Sequence, residues 1–359
     1  MQLDQPKLKE ILAHFAIEGH LLSLKLHREG HINTTLFSTF EHEGNLHRYT
    51  HQRINTEAFK DPFSLMKNIS AVTSHIRGKL ENRQSDIDKR VLTVIPTRDG
   101  ELLFEDEQGG FWRTYRYIDH VRTYNRIENE EVAHRFGAAV GTFQLQLADF
   151  DGSSLFHTIP RFHDMRLRYE QLQEAIKVNH HKRVGTVADE LAFLEENKNR
   201  GCVLTDALAE GKLPLRVTHN DTKVNNVLFS LDGSEALCII DLDTVMPGTI
   251  LFDTGDMLRT GSNTGEEDTT DLDRIDCAVD LHRALLSGYR SKATFLTALE
   301  EELLVESGRT ITQIMAVRFL TDYLNGDVYY HIEREEHNLD RARTQIALMR
   351  AMDRRWNEL

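Results

Sequence analysis

The order of hydrophobic patterns along the chain predicts an α+β fold of two lobes, a small β-rich N-terminal lobe and a larger helical C-terminal lobe. Three observations carry this expectation. Alternating apolar and polar residues dominate the first third. Helical periodicity takes over from about residue 130. A single hairpin, at 226–241, interrupts the helical part.

The elements follow in order. "LKEILAHFAI" has the spacing of a short amphipathic helix. "HLLSLKLH", "NTTLFSTF" and "HRYTHQRI" alternate as strands, with Gly30 and the "EGN" at 43–45 as turns between them. "DPFSLMKNISAVTSHIRGKL" is a helix with Asp61 as N-cap and Pro62 in its first position. "RVLTVIPT", "LLFED" and "FWRTYRYI" are further strands. Helices are expected over 130–149, 164–180, 186–200, 271–290, 294–306, 309–326 and 338–357. The lobes are expected to join within "YIDHVRTYN", 117–125, giving an N-terminal lobe over 1–118 and a C-terminal lobe over 119–359. Lobes of unlike composition commonly leave a ligand cleft at their join.

Composition narrows the function. The 359 residues suffice for one large domain or two lobes, and 40% of them are hydrophobic, enough for a sizeable core. The net charge of −14 argues against nonspecific binding of nucleic acid or of anionic membranes. It also repels an anionic substrate, so phosphates would need a metal ion or backbone dipoles to offset it. Cys202, Cys238 and Cys277 are widely spaced and form no C-x-x-C pair, which fits a reducing cytoplasm. The first residues lack the apolar core of a signal peptide, and no apolar run reaches a membrane-spanning length of about 18 residues. Oligomeric state has no signal in the sequence.

The stretch "VTHNDTKVNNVLF", Val217 to Phe229, carries the chemistry. Its His219, Asp221 and Asn226 match H-x-D-x-x-x-x-N, the spacing of the protein-kinase catalytic loop. There the Asp orients the substrate hydroxyl and accepts its proton, while the Asn holds a metal. The hairpin that follows turns at "DGS". Its midpoint, taken between Gly233 and Ser234, sets Asn226 opposite Asp241. An amide oxygen beside a carboxylate is a donor pair suited to Mg²⁺. Lys223, inside the loop, could stabilise charge on a transferred phosphate or could be merely solvated.

With those residues in view, "THNDTKVNNVLF", "IIDLDTVMPG" and "LFDTGDMLRTG" resemble the aminoglycoside-phosphotransferase and choline-kinase group of small-molecule kinases. "GHINTT" at 30–35, "WRTYRYIDH" at 112–120, "RFLTDYLNGDVYY" at 318–330 and "EHNLDRARTQI" at 336–346 are similar to the N-acetylhexosamine 1-kinases within it. The resemblance implies a protein-kinase-like fold, ATP as phosphoryl donor and an amino sugar as acceptor. It implies Asp221 as base, with Asn226 and Asp241 as Mg²⁺ ligands. Asp243 is either a second ligand or a cap on the following turn. Asp256 is expected to hydrogen-bond the catalytic-loop backbone.

For the nucleotide, the resemblance points to Gly30, His31, Ile32, Asn33, Gln52, Tyr117 and Ile118, and for the sugar to His31, Asp221, Arg318 and Tyr329. One departure stands out. Kinases usually place a Lys on the third strand, and "RYTHQRIN" offers Gln52 there with Arg53 beside it. Spacing alone would pair Arg318 with Asp322 one helical turn on. The acidic run "GEEDTTDLD", 265–273, looks like a solvated loop and helix start rather than a site. The competing readings are an aminoglycoside- or choline-type phosphotransferase and a non-catalytic nucleotide-binding protein.

Overall fold

The computed structural model describes residues 5–27, 32–81 and 86–359. Gly30 and His31 lie outside the described residues. The chain divides into two compact units. The first comprises Met1–Arg122, Ser153–Ile159 and Leu228–Met246, and the second Thr123–Gly152, Pro160–Val227 and Pro247–Leu359.

In the first unit, helix α1 (Gln5–Ala13) precedes strands β1 (His20–His27), β2 (Thr34–His42) and β3 (Asn45–Arg53). Helix α2 (Pro62–Leu80) follows, then β4 (Val94–Ile95), β5 (Phe104–Glu105) and β6 (Phe111–Arg116). The sheet runs β1-β2-β3-β6-β4, with β5 also paired to β6. Alternation sorts its two faces. Leu36, Phe40, Tyr49 and Trp112 pack with Leu8, Ile11 and Phe15 in one apolar core. His51 lies in the same layer, bonded to Ser38 Oγ at 2.6 Å and Thr114 Oγ1 at 2.8 Å. Gln52 and Arg113, facing partners across β3 and β6, belong to the opposite face. Asp61 caps α2 through the N–H groups of Phe63 and Ser64, as expected. A second small sheet joins Val121–Arg122 to the hairpin Val227–Ser230 and Ala236–Ile239.

The second unit is helical. Glu130–Gln146 lies against Val279–Arg290 at glycine contacts, where a Cβ on Gly288 would come within 1.9 Å of the His134 carbonyl oxygen. Leu304–Leu324 is buried along most of its length and packs on His337–Arg354, Ile250–Ser262 and Met165–Val178. Four expectations need correction. The strands expected at "RVLTVIPT" and "LLFED" shrink to Val94–Ile95 and Phe104–Glu105. The helix expected over 271–290 begins only at Val279, and the one over 294–306 shrinks to Ala298–Glu302, capped by a Thr297–Glu300 box. Ile250–Ser262 is a helix that the sequence did not suggest, and its Asp253, Asp256 and Arg259 are buried along with its apolar residues.

Candidate active site

In the second unit, the strand Arg216–Thr218 delivers the chain into the polar loop, and Asn220 turns it with a left-handed φ of 66°. The Lys223 ammonium lies 2.8 Å from Asp221 Oδ1. Asn226 Nδ2 donates to the Asp221 carbonyl at 2.9 Å and to its Oδ2 at 3.3 Å. With that nitrogen turned inward, the Asn226 amide oxygen is the atom left to face a ligand. Burial raises the Asp221 carboxyl, but Lys223, through its charge and its hydrogen bond, together with His219 and Arg259, outweighs it and holds the group below the usual carboxylate value. Asp221 is therefore ionised at neutral pH and able to orient and accept a proton. The Asp221 charge in turn raises the Lys223 ammonium.

The residue that holds this loop is Asp253, not Asp256. Asp253 is fully buried, and its carboxylate accepts the His219 N–H at 3.0 Å, the Asn220 N–H at 2.7 Å and Gln144 Nε2 at 3.0 Å. Its carbonyl accepts the Thr222 hydroxyl at 2.6 Å. Burial raises the Asp253 carboxyl, opposed by His219 and the two loop N–H groups. Asp256, on the same helix, pairs with the buried Arg259 at 2.8 Å. Arg259 also reaches Glu267 at 2.8 Å. The Glu267 side chain is 44% exposed; partial desolvation raises its carboxyl, and Arg259 and then Lys223 outweigh it, so the group lies below its usual value. The acidic run is thus not simply a solvated loop, because Glu267 belongs to the charge cluster around Lys223. A long-range partner of this kind leaves no periodic mark in the sequence.

Arg318 makes no ion pair with Asp322. Asp322 instead accepts the N–H groups of Val328 at 3.0 Å, Tyr329 at 2.9 Å and Tyr330 at 3.0 Å, and Asn338 Nδ2 at 2.9 Å. Its carboxylate is consumed in shaping the turn that carries the two tyrosines. The half-buried Arg318 guanidinium faces the rings of Phe162 at 4.9 Å, Tyr330 at 5.4 Å and Tyr329 at 5.8 Å. Burial and the Arg318 charge lower His163 to about 3, and its Nε2 lies 3.2 Å from the Asn220 carbonyl just before Asp221. Burial, then Arg318, lowers Arg168 to about 10. Arg318 therefore shares a neighbourhood with the catalytic loop.

In the first unit, the hairpin turn bonds the Ser230 N–H to the Glu235 carbonyl at 2.9 Å. Its axis falls between Asp232 and Gly233, one residue earlier than the sequence suggested. The second strand ends at Ile239, and Asp241 has a left-handed φ of 61°. A local turn, rather than the ladder register, aims Asp241. Asp243 is buried, paired with Arg113 at 2.5 Å and bonded by Asn33 Nδ2 at 2.7 Å.

The residues expected at the nucleotide are placed as follows. Asn33 uses both ends of its amide, because its oxygen accepts the Asn55 N–H at 2.9 Å. Gln52 bonds Arg113 and Thr35. Arg53 lies against Gly110 beside Asp106. Tyr117 gives its N–H to the Arg48 carbonyl at 3.0 Å and carries the Arg48 guanidinium 4.0 Å above its ring. The Ile118 side chain is buried with Leu228 and Cys238, whereas Ile32 is exposed. Among the described residues, no three His, Cys, Asp or Glu side chains converge on a metal position. A carboxylate such as that of Asp241 and an amide oxygen such as that of Asn226 are each hard donors of the kind Mg²⁺ takes, rather than a softer ion.

A β-rich unit, a helical unit and an H-x-D-x-x-x-x-N loop define a phosphotransferase of protein-kinase-like fold. The sequence profile of the phosphotransferase enzyme family (APH) matches residues 90–291, and the chain belongs to that family. Its fold is similar to that of a microcompartment-associated aminopropanol kinase, with a TM-score of 0.62 at 14% identity over 99% of this chain and 98% of that one. Spectinomycin phosphotransferase APH(9)-Ia, solved with ADP and spectinomycin, matches with a TM-score of 0.55 at 13% identity over 97% of this chain and 98% of that one. Choline kinase LicA from Streptococcus pneumoniae matches with a TM-score of 0.52 at 13% identity over 97% of each. No helix among the described residues is long and apolar enough to cross a membrane.

Proposed function

We propose that the chain transfers the γ-phosphoryl group of ATP to the anomeric hydroxyl of an N-acetylhexosamine, N-acetylglucosamine or N-acetylgalactosamine, in the cytoplasm. The observation that carries the acceptor class is Arg318, a half-buried cation that forms no ion pair among the described residues and faces three aromatic rings. Such a group suits a neutral ligand rich in hydroxyl and carbonyl oxygens. It disfavours a polycationic aminoglycoside. It disfavours choline too, because the rings that would face a quaternary ammonium already face a guanidinium.

In this reading Asp221 orients the sugar hydroxyl and accepts its proton, while Lys223 fixes the carboxylate and stabilises charge on the transferred group. Asn226 and Asp241 would hold Mg²⁺, which would neutralise phosphate charge during transfer. Tyr329, exposed beside Arg318, would lie against the sugar ring. Ile32, Tyr117 and Ile118 remain the expected nucleotide neighbours, while Asn33 and Gln52 act through Asp243 and Arg113.

A panel of N-acetylhexosamines, plain hexoses, choline and aminoglycosides with ATP and Mg²⁺ tests the acceptor. Phosphorus NMR should report a 1-phosphate. Arg318→Ala should raise the KM for sugar about tenfold or more, with the KM for ATP little changed. Good turnover of choline or an aminoglycoside without turnover of either amino sugar, or a phosphate on the 6-hydroxyl, would sink the proposal.

A further inference from the structure

We propose that Arg113 supplies the positive charge that kinases usually place on the third strand, and that it acts through Asp243 rather than on nucleotide phosphates. Gln52 is the residue that positions it. The inference rests on the phosphotransfer reading but not on the identity of the acceptor.

Gln52 occupies the third-strand position and carries no charge. Its oxygen accepts Arg113 Nε at 3.0 Å and Nη2 at 2.8 Å, across the β3–β6 pairing that makes these two residues direct partners. Its nitrogen donates to Thr35 Oγ1 at 3.1 Å. The amide is therefore held at both ends with its oxygen toward the guanidinium. The third guanidinium nitrogen, Nη1, pairs with Asp243 Oδ1 at 2.5 Å, and Asn33 Nδ2 reaches Asp243 Oδ2 at 2.7 Å. The Arg113 charge also acts on Asp241.

The usual arrangement pairs the third-strand Lys with a Glu on the following helix. Both members are missing here, since α2 reads "PFSLMKNISAVTSHIRGKL" and contains no carboxylate. The helix sends Asn68 instead, whose Nδ2 donates to the Val245 carbonyl at 2.9 Å, two residues beyond Asp243. Arg53, the other nearby cation, lies beside Asp106 and Gly110.

Arg113 is only 1% exposed, and all three of its guanidinium nitrogens are committed, so it does not swing out to a phosphate. A buried ion pair adds little net stability compared with apolar packing. What this one achieves is to offset one of two carboxylates placed two residues apart in a chain of net charge −14. Held by Arg113 and Asn33, Asp243 supports the site, and Asp241 would be the carboxylate that meets the metal.

The test measures ATP affinity of the full-length chain by calorimetry, in Mg²⁺ and in EDTA. Gln52→Met keeps every charge but frees the guanidinium. The double change Arg113→Gln with Asp243→Asn removes the buried pair together, so no lone charge is left to unfold the protein. Melting curves check that both variants fold. Residues that support metal ligands typically change metal affinity by about 10–100-fold. The double variant should lose about that much affinity in Mg²⁺ and little in EDTA, and Gln52→Met should show a smaller loss of the same kind. Affinity within twofold of wild type in Mg²⁺, or equal losses in both buffers, overturns the inference. A wild-type chain that binds ATP yet phosphorylates no amino sugar leaves it standing while sinking the proposed acceptor. A wild-type chain that binds no ATP sinks the phosphotransfer reading and the inference together.

Discussion

Replacing Asp253 by Asn should both loosen the catalytic loop and destabilise the protein. The side chain is fully buried, with Oδ1 serving the Asn220 N–H and Oδ2 serving both the His219 N–H and Gln144. An Asn has a single oxygen, so whichever way the amide turns, at least one of these donors meets an NH₂ group instead of an acceptor. A buried polar group left unpaired costs about 1–3 kcal/mol, and the like-facing donor adds to it, giving about 2–5 kcal/mol in all. At about 2 °C per kcal/mol for a chain of this size, Tm should fall by about 4–10 °C. Misplacing the reacting groups by about 1 Å can cost about 10²-fold in rate, and the two N–H groups at risk lie immediately before Asp221. Differential scanning fluorimetry and steady-state kinetics with the best acceptor read both effects. A variant that melts within about 1 °C of wild type and keeps more than half of kcat would refute Asp253 as the holder of the loop.

Two further outcomes are expected. Asp221→Asn should lower kcat by about 10²–10⁴-fold with nucleotide affinity nearly unchanged, and a variant retaining more than about a tenth of the turnover would exclude Asp221 as the base. Burial lowers His282 to about 4 from its ordinary 6.5, and neither ring nitrogen has a hydrogen-bond partner among the described residues. Between those values the unfolded chain takes up a proton that the folded one refuses, so stability is lost as pH falls below about 6.5, at up to about 1.4 kcal/mol per pH unit for this group. Urea unfolding at pH 7 and pH 5 should show His282→Leu with a shallower loss than wild type. An unchanged difference between the two pH values would mean that His282 does not carry it.

Local signals were legible without the fold. The strand "HLLSLKLH" is β1 residue for residue, because alternation and a flanking glycine bound it on short range. Asp61 caps its helix because a cap needs only the next three residues. The family's loop was readable for the same reason, since Asp221 and Asn226 stand at a fixed spacing within one turn of chain. What the sequence could not decide were choices between chemically equal residues set by distant partners. Asp253 and Asp256 lie three residues apart on one helix, and only the packing of that helix assigns one to the loop backbone and the other to Arg259. Arg318 and Asp322 have the spacing of an ion pair, yet the turn at 328–330 claims the carboxylate first, because three N–H groups and an amide already fill its oxygens. The missing third-strand cation was invisible too. Gln52 and Arg113 are 61 residues apart, and hydrophobic periodicity carries no information about which polar side chain meets which across a sheet.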